Sequence, residues 1–243
     1  NLMPPSSSVW PVVVETVRPV SAGAMAWRCG DRWSLSVAVK ATFALIEEGV
    51  CELVGPVPLA RHERFAQVAV AGTAPAIVED TDVVPYRPQV DVTFSGSVHA
   101  PHPVQALRAR LAVIGPSDGI DKSVQAVGDR VGHAAPRPFR QMPLGWERAW
   151  AGADNPAGVK PGTAQQPNVL DPRNGDLPIG LGPIPRSWPS RARFVGSMDP
   201  RLLDGPVPSV PQSFAWEFYQ GSPRDQRLGR LSGSETIMLE NLL

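Results

Sequence analysis

Thirteen residues constrain this chain more than any others. From Trp33 to Leu45 every odd position is apolar: Trp33, Leu35, Val37, Val39, Ala41, Phe43 and Leu45. Ser34, Ser36, Lys40 and Thr42 lie between them. Successive side chains of a strand point to opposite faces, so this alternation predicts a long strand with one buried face and one wet face. Glu47-Glu48-Gly49 supplies a turn, and Val50 to Val54 reads as the returning partner of a hairpin.

Other segments repeat the pattern. Val12 to Val17 reads as a strand, and Gly23 to Arg28 as a weaker one before the Gly30-Asp31 turn. Val90 to His99 alternates in the opposite phase, with Gly96 as a bulge. Leu107 to Val113 is a clean strand, and Lys122 to Gly128 returns to it through Pro116-Ser117-Asp118-Gly119. Ala192 to Ser197 and Glu235 to Asn241 read as strands, and Ser213 to Gln220 as one helical segment with Phe214 and Phe218 on a face. Proline recurs twelve times from Pro156 to Pro211, a density that forbids helix interiors and central strands. Leu170, Ile179, Leu181, Ile184, Trp188 and Phe194 are interspersed there, more apolar surface than a linker carries.

The expected fold is mainly β: an antiparallel sandwich or partly closed barrel with a long irregular Pro/Gly-rich wrap and few short helices. The expected organisation is a disordered lead-in over 1–8 and a single β-rich domain over 9–243. Within it, 9–140 is the regular β part, and 141–243 holds the wrap and a closing strand.

Composition removes several function classes. The formal net charge of the 243 residues is zero, so nothing draws the chain in bulk to nucleic acid or an anionic membrane. Arg224, Arg227 and Arg230 follow Trp216, Phe218 and Tyr219, but no nucleic-acid recognition motif accompanies them. No apolar run reaches the ~18 residues of a membrane helix, and no basic-then-apolar leader opens the chain. Cys29 and Cys51 are too few for a disulfide framework and read as free thiols.

Candidate chemistry is sparse. No nucleophile elbow, phosphate loop or paired-cysteine motif is present. His62-Glu63 starts like a zinc-protease motif, but position 66 is alanine. His99 and His102 are a close pair in a loop stiffened by Pro101 and Pro103, with Asp91 the only nearby acid. A metal site on two histidines and one acid is not expected, and neither is a cofactor. Asp129 and Arg130 follow Gly128 at a strand end and read as a turn cap and a partner for a wrap carboxylate. In Met142 to Gly152, Pro143 opens a helical turn that places Trp146 and Trp150 on one face. These tryptophans are expected to plug the core while Glu147 and Arg148 tie down the wrap. Two alternatives stay open. One is a hydrolase using Glu147 or Asp129 with a second carboxylate, as glycoside hydrolysis needs two. The other is a carbohydrate-binding β-sandwich stacking sugars on Trp146, Trp150 and Trp188.

Read in order, the motifs resemble a bacterial family: the type VI secretion effector-adaptor proteins built on the domain of unknown function numbered twenty-one sixty-nine. The resemblance runs from Val39-Lys40-Ala41-Thr42-Phe43 through Pro88-Gln89-Val90-Asp91-Val92, His99-Ala100-Pro101 and Val127-Gly128-Asp129-Arg130. It continues through Met142 to Trp150, Asn155-Pro156 with Gly158, Pro167-Asn168, Gly182-Pro183-Ile184 with Trp188, Asp225-Gln226, and Asn241-Leu242. Val131-Gly132 departs from the family, which often has an aromatic after Gly-Asp-Arg. The resemblance implies a cytoplasmic, non-catalytic adaptor or chaperone that holds a toxin effector and helps load it on the PAAR and VgrG proteins of the secretion spike. It marks His99, Asp129, Arg130, Trp146, Glu147, Arg148, Trp188, Asp225 and Gln226 as partner-binding or structural positions. An adaptor needs a broad, partly apolar surface. The wrap is one expected source of it, and an exposed strand edge that pairs with an effector segment is another.

Overall fold

The computed structural model describes residues 14–66, 75–132, 134–150, 152 and 166–242, with Asp176 described by its backbone alone. The lead-in over 1–8, the first residues of the Val12 strand, and the motif residues Asn155, Pro156 and Gly158 lie outside the described residues. The strands are, in order, β1 (Ser21–Cys29), β2 (Arg32–Lys40), β3 (Phe43–Ala44), β4 (Glu52–Leu53), β5 (Arg64–Phe65), β6 (Ile77–Glu79), β7 (Val90–Asp91) and β8 (Ser97–Val104). There follow β9 (Ala106–Ile114), β10 (Gly119–Val127), β11 (Phe139–Pro143), β12 (Val169–Asp171), β13 (Asn174–Pro178), β14 (Ser209–Val210), β15 (Arg227–Leu228) and β16 (Thr236–Glu240). Two one-turn helices, α1 (Pro189–Ala192) and α2 (Arg201–Asp204), lie between β13 and β14. The protein is mainly β, in several small sheets.

The chain divides into two compact units. The first comprises 1–62, 81–86 and 194–216; the second comprises 63–80, 87–193 and 217–243.

In the first unit β1 and β2 form an antiparallel hairpin with unbroken register from Ser21↔Lys40 to Cys29↔Arg32. Gly30 turns it with a φ of +58°, a conformation that suits a residue without a Cβ. β14 pairs in parallel with the last two residues of β1. The alternation of β2 is present, but its sense is the reverse of the expected one. Ser34, Ser36, Ala38 and Lys40 are half-buried, while Trp33, Leu35, Val37 and Val39 are exposed. The cause lies across the hairpin. Residues paired across strands share a face, so Trp27 and Met25 stand beside Ser34 and Ser36. Trp27 packs edge-to-face on Trp216 at 5.2 Å, and Trp216 on Phe214 and Tyr86 at 5.2 and 5.6 Å. The Trp27 indole N–H donates to Ser36 Oγ at 2.9 Å, the Ser36 hydroxyl donates to the Pro85 carbonyl, and Lys40 pairs with Asp82 at 2.9 Å. The small, polar row of β2 makes room for a tryptophan and satisfies it, so that row turns inward.

In the second unit the central sheet has the order β13-β12-β10-β9-β16. The β9–β10 hairpin spans Ile114↔Gly119 to Ala106↔Val127, as the turn at Pro116 to Gly119 predicts. β16 pairs with the free side of β9 and closes that edge. Ala109, Leu111, Val124 and Ala126 face a core completed by Val98, Met142, Leu144, Val169, Leu181, Ile184 and Leu242.

Several expectations need correction. Val14 to Val17 is not strand. Val90 to His99 is not one strand with a bulge: β7 pairs with β15 and β8 with β11, and Val92 to Gly96 is irregular between them. His99 and His102 both lie within β8, not in a loop. β8 tolerates Pro101 and Pro103 because, among the described residues, its side away from β11 is bridged only at Val98 and His99, by Leu242 and Asn241, so neither proline has to donate there. The wrap is less irregular than expected, since β12 and β13 extend the central sheet. Ala192 to Ser197 is helical turn, not strand, with α1 running into a 3-10 turn over Arg193–Val195. The helical segment after Ser213 shrinks to a 3-10 turn over Trp216–Tyr219.

Candidate functional site

The nine positions singled out as partner-binding or structural, His99 to Gln226, all fall in the second unit, and most of them hold its segments together. The stretch after Pro143 is a run of tight turns in which Arg148, Ala149, Trp150 and Gly152 each donate a backbone N–H to the carbonyl three residues earlier. Trp146 and Trp150 are 6% and 8% exposed. The Trp146 indole N–H donates to the Gly182 carbonyl at 2.9 Å, and its ring meets Trp188, 1% exposed, edge-to-face at 5.8 Å. Gly180 lies flat under Trp146, where a Cβ would stand 2.8 Å from the ring. With all three rings buried, none of these tryptophans offers a face to a sugar.

The acids and bases of the motifs sort into locks. Arg148 donates to Asp129 at 3.1 Å and to the Asn168 side-chain oxygen at 3.4 Å, and Asn168 donates to Asp129 at 3.1 Å and to the Val127 carbonyl at 2.9 Å. Gly128 precedes this lock at a close backbone crossing, where a Cβ would collide with the Arg137 carbonyl. Arg148 thus reaches Asn168 of the wrap. Arg130 has no ion pair with a wrap carboxylate among the described residues. The Glu147 carboxylate folds back against Gly145, where an added Cβ would meet both of its oxygens.

Asp225 and Gln226 meet Lys122 of β10. The buried ammonium donates to Asp225 at 3.0 Å and to the Gln226 side-chain oxygen at 2.8 Å. Burial pushes the Lys122 pKa down, against the Asp225 carboxylate that pulls it up. The Gln226 amide donates to the carbonyls of Val92 at 2.8 Å and Leu181 at 2.9 Å. Asp91, the acid considered for a metal, accepts from the Gln220 amide, the Gly221 N–H, the Ser222 N–H and the Ser222 hydroxyl at 2.6–3.2 Å. Its oxygens are occupied by the protein. His99 sits across from Gln141 in the β8–β11 ladder. Among the described residues no three His, Cys, Asp or Glu side chains gather as metal ligands.

Two further places were not marked by the sequence. Arg191 of α1 is buried and donates to the Phe218 carbonyl at 3.0 Å, to the Ile184 carbonyl, and to Asp80 at 3.3 Å. Glu63 lies 3.7 Å from it, and burial pushes the Glu63 carboxyl up while the Arg186 N–H holds it down. A shallow depression of about 290 Å³ is lined in part by Asp118, Arg230, Ser232 and Glu235. Its acids are committed: Asp118 accepts from the backbones of Gly119 and Gly229, and Glu235 from Ser232 and Gly233.

The feature without an internal role is the outer face of the β1–β2 hairpin. Trp33, Leu35, Val37 and Val39 are 64%, 54%, 55% and 63% exposed. Their cross-strand partners are Arg28, Ala26, Ala24 and Ala22, so the β1 half of the face is a low shelf of three alanines. Arg28 covers the Trp33 ring at 5.6 Å. Phe43, Leu45 and Leu53 on the separate β3–β4 hairpin are also exposed. This row was marked in the sequence as a strand, but as a buried one. Its outward sense is decided by Trp27 on the other strand.

Among curated proteins and solved structures, none matches this chain. One protein-family profile, described as "Uncharacterized protein conserved in bacteria (DUF2169)", matches residues 30–243. That span takes in β2 with its apolar row, the β3–β4 hairpin, the Arg148 and Lys122 locks and the closing strand, and it shows that the chain belongs to this bacterial DUF2169 family.

Proposed function

We propose that this protein is a non-catalytic adaptor that binds a toxin effector and helps load it on the PAAR/VgrG spike of a type VI secretion system, acting in the cytoplasm. The observation that carries the reading is the exposed apolar row of β2. A contiguous exposed apolar patch of several hundred Å² on a folded unit marks a protein-interaction site. The arrangement of the motif residues is consistent with it. Asp129, Arg148, Asp225 and Gln226 join segments of the second unit to one another, as stoichiometric binding requires of a scaffold.

The test is genetic and direct. The adaptor reading expects that deleting the gene leaves the toxin encoded beside it insoluble or unsecreted, and that the two proteins co-purify. A toxin that stays soluble and is exported normally in the deletion strain sinks the proposal.

A further inference from the structure

We infer that the outer edge and apolar face of β2 form a strand-addition site for an extended segment of the toxin. That segment carries apolar side chains at alternate positions and a basic residue at the end lying toward the β3–β4 hairpin. The inference deepens the adaptor reading and rests on it.

Three observations converge. First, β2 is an edge strand: β1 pairs along one side, and among the described residues no strand pairs along the other. No described backbone hydrogen bond outside the ladder reaches Arg32 to Lys40. A nine-residue edge of this kind offers alternating N–H and C=O groups to an incoming chain. Second, Trp33, Leu35, Val37 and Val39 repeat every second residue along that edge. An added strand in register sets its own alternate side chains beside them, which gives specificity to a contact whose affinity comes from the backbone. Third, the charges at the two ends differ. Arg28 and Arg32 with Asp31 flank the β1–β2 turn, whereas exposed Glu47, Glu48 and Glu52 cluster on the hairpin that follows β2. Lys40, at that same end, is held by Asp82. Among the described residues Glu47, Glu48 and Glu52 have no ion pair, which calls for a base on the ligand.

The area argues for a segment over a second copy of this chain. The four β2 side chains expose on the order of 400 Å², about half of the roughly 800 Å² that each partner of a stable interface buries. Two rigid copies stacked on this face fall short, whereas an extended segment adds a ladder of main-chain hydrogen bonds to the same apolar contact.

The experiment is a selection of random displayed peptides of about nine residues, the length of β2, against the full chain. Val37→Asp serves for counter-selection, and Glu47→Lys/Glu48→Lys as a second bait. Because Val37 is exposed, Val37→Asp should melt with the wild type; Leu35→Lys replaces it if it does not. The expected result is enrichment of peptides alternating apolar and polar residues with a terminal Lys or Arg. Affinity should fall at least tenfold on Val37→Asp, and on N-methylation of alternate peptide amides. The double charge variant should lose the terminal base. Enrichment of apolar residues at helical spacing, binding indifferent to Val37, or no enrichment overturns the inference. So does a dimer in sedimentation that Val37→Asp dissolves, since the face would then belong to a second copy. If export needs this protein but the selection fails, strand addition alone is wrong. If the selection succeeds but export is normal in the deletion strain, the adaptor reading is wrong.

Discussion

β2 and the β9–β10 hairpin are written in the same code and folded to opposite ends. Both alternate apolar and polar residues in long, regular antiparallel pairs. In β9 the apolar row turns inward, and Ala109, Leu111 and Val113 are buried. The outer row is closed by charge: Arg110 pairs with Asp121 at 2.7 Å and with Glu240 across the sheet. Those bonds hold the Asp121 carboxyl below its usual range and the Arg110 guanidinium above its own. In β2 the apolar row turns outward with no such closure. Both edges of β9 are also paired, by β10 and β16, while among the described residues no strand pairs with the outer edge of β2. The β9–β10 hairpin is finished internally, whereas β2 leaves its apolar face exposed.

The largest test of this contrast is Trp146→Ala, which should cost about 3–5 kcal/mol as a buried aromatic truncation. Chemical denaturation reads it, and a loss under about 1 kcal/mol breaks the assignment of Trp146 to the core. Next is a matched pair. Leu111→Ala should cost about 2–5 kcal/mol, whereas the same truncation at Leu35 should stay within about 0.5 kcal/mol. Equal losses would erase the difference between the two hairpins.

Smaller effects sharpen the second unit. Burial holds the folded-state pKa of Lys122 below its unfolded value near 10.4. Between those two values the unfolded chain binds more protons, so stability rises with pH through that window. Lys122→Met should flatten the rise in melting temperature on the alkaline side, and an unchanged slope would show that Lys122 does not cause it. The smallest effect is at Glu235, whose pKa is lowered to about 2, first by the Ser232 N–H and then by the Ser232 hydroxyl. A depressed carboxyl contributes stability that is present above its unfolded pKa and lost as pH falls through the folded one. The gap between wild type and Glu235→Gln should therefore be full above pH ~4.5, near the unfolded carboxyl pKa, and gone by pH about 2. A gap that persists there excludes Glu235 as its source.

Much of the fold was legible because strand periodicity and turn chemistry are local. The β9–β10 hairpin with its Asp118-Gly119 turn and the closing strand β16 follow from spacing alone, whereas the single strand expected from Trp33 to Leu45 breaks at Ala41-Thr42 into β2 and the β3 of a separate hairpin. The site was less legible. Lys122 with Asp225, Asp129 with Arg148, and Arg191 with Asp80 join residues 19 to 111 positions apart. No local pattern encodes such pairings. Short strands such as β12 and β15 were missed for the same reason, since a two- or three-residue pairing depends on what lies beside it.

The sequence by itself determined that Trp33, Leu35, Val37 and Val39 share one face of a strand, because the two-residue period is a property of the backbone. Only the tertiary structure decided which face that is. The choice depends on Trp27 across the hairpin, on the ring stack it makes with Trp216, and on the acceptor it finds in Ser36. Alternation is symmetric between in and out until a neighbouring strand breaks the tie.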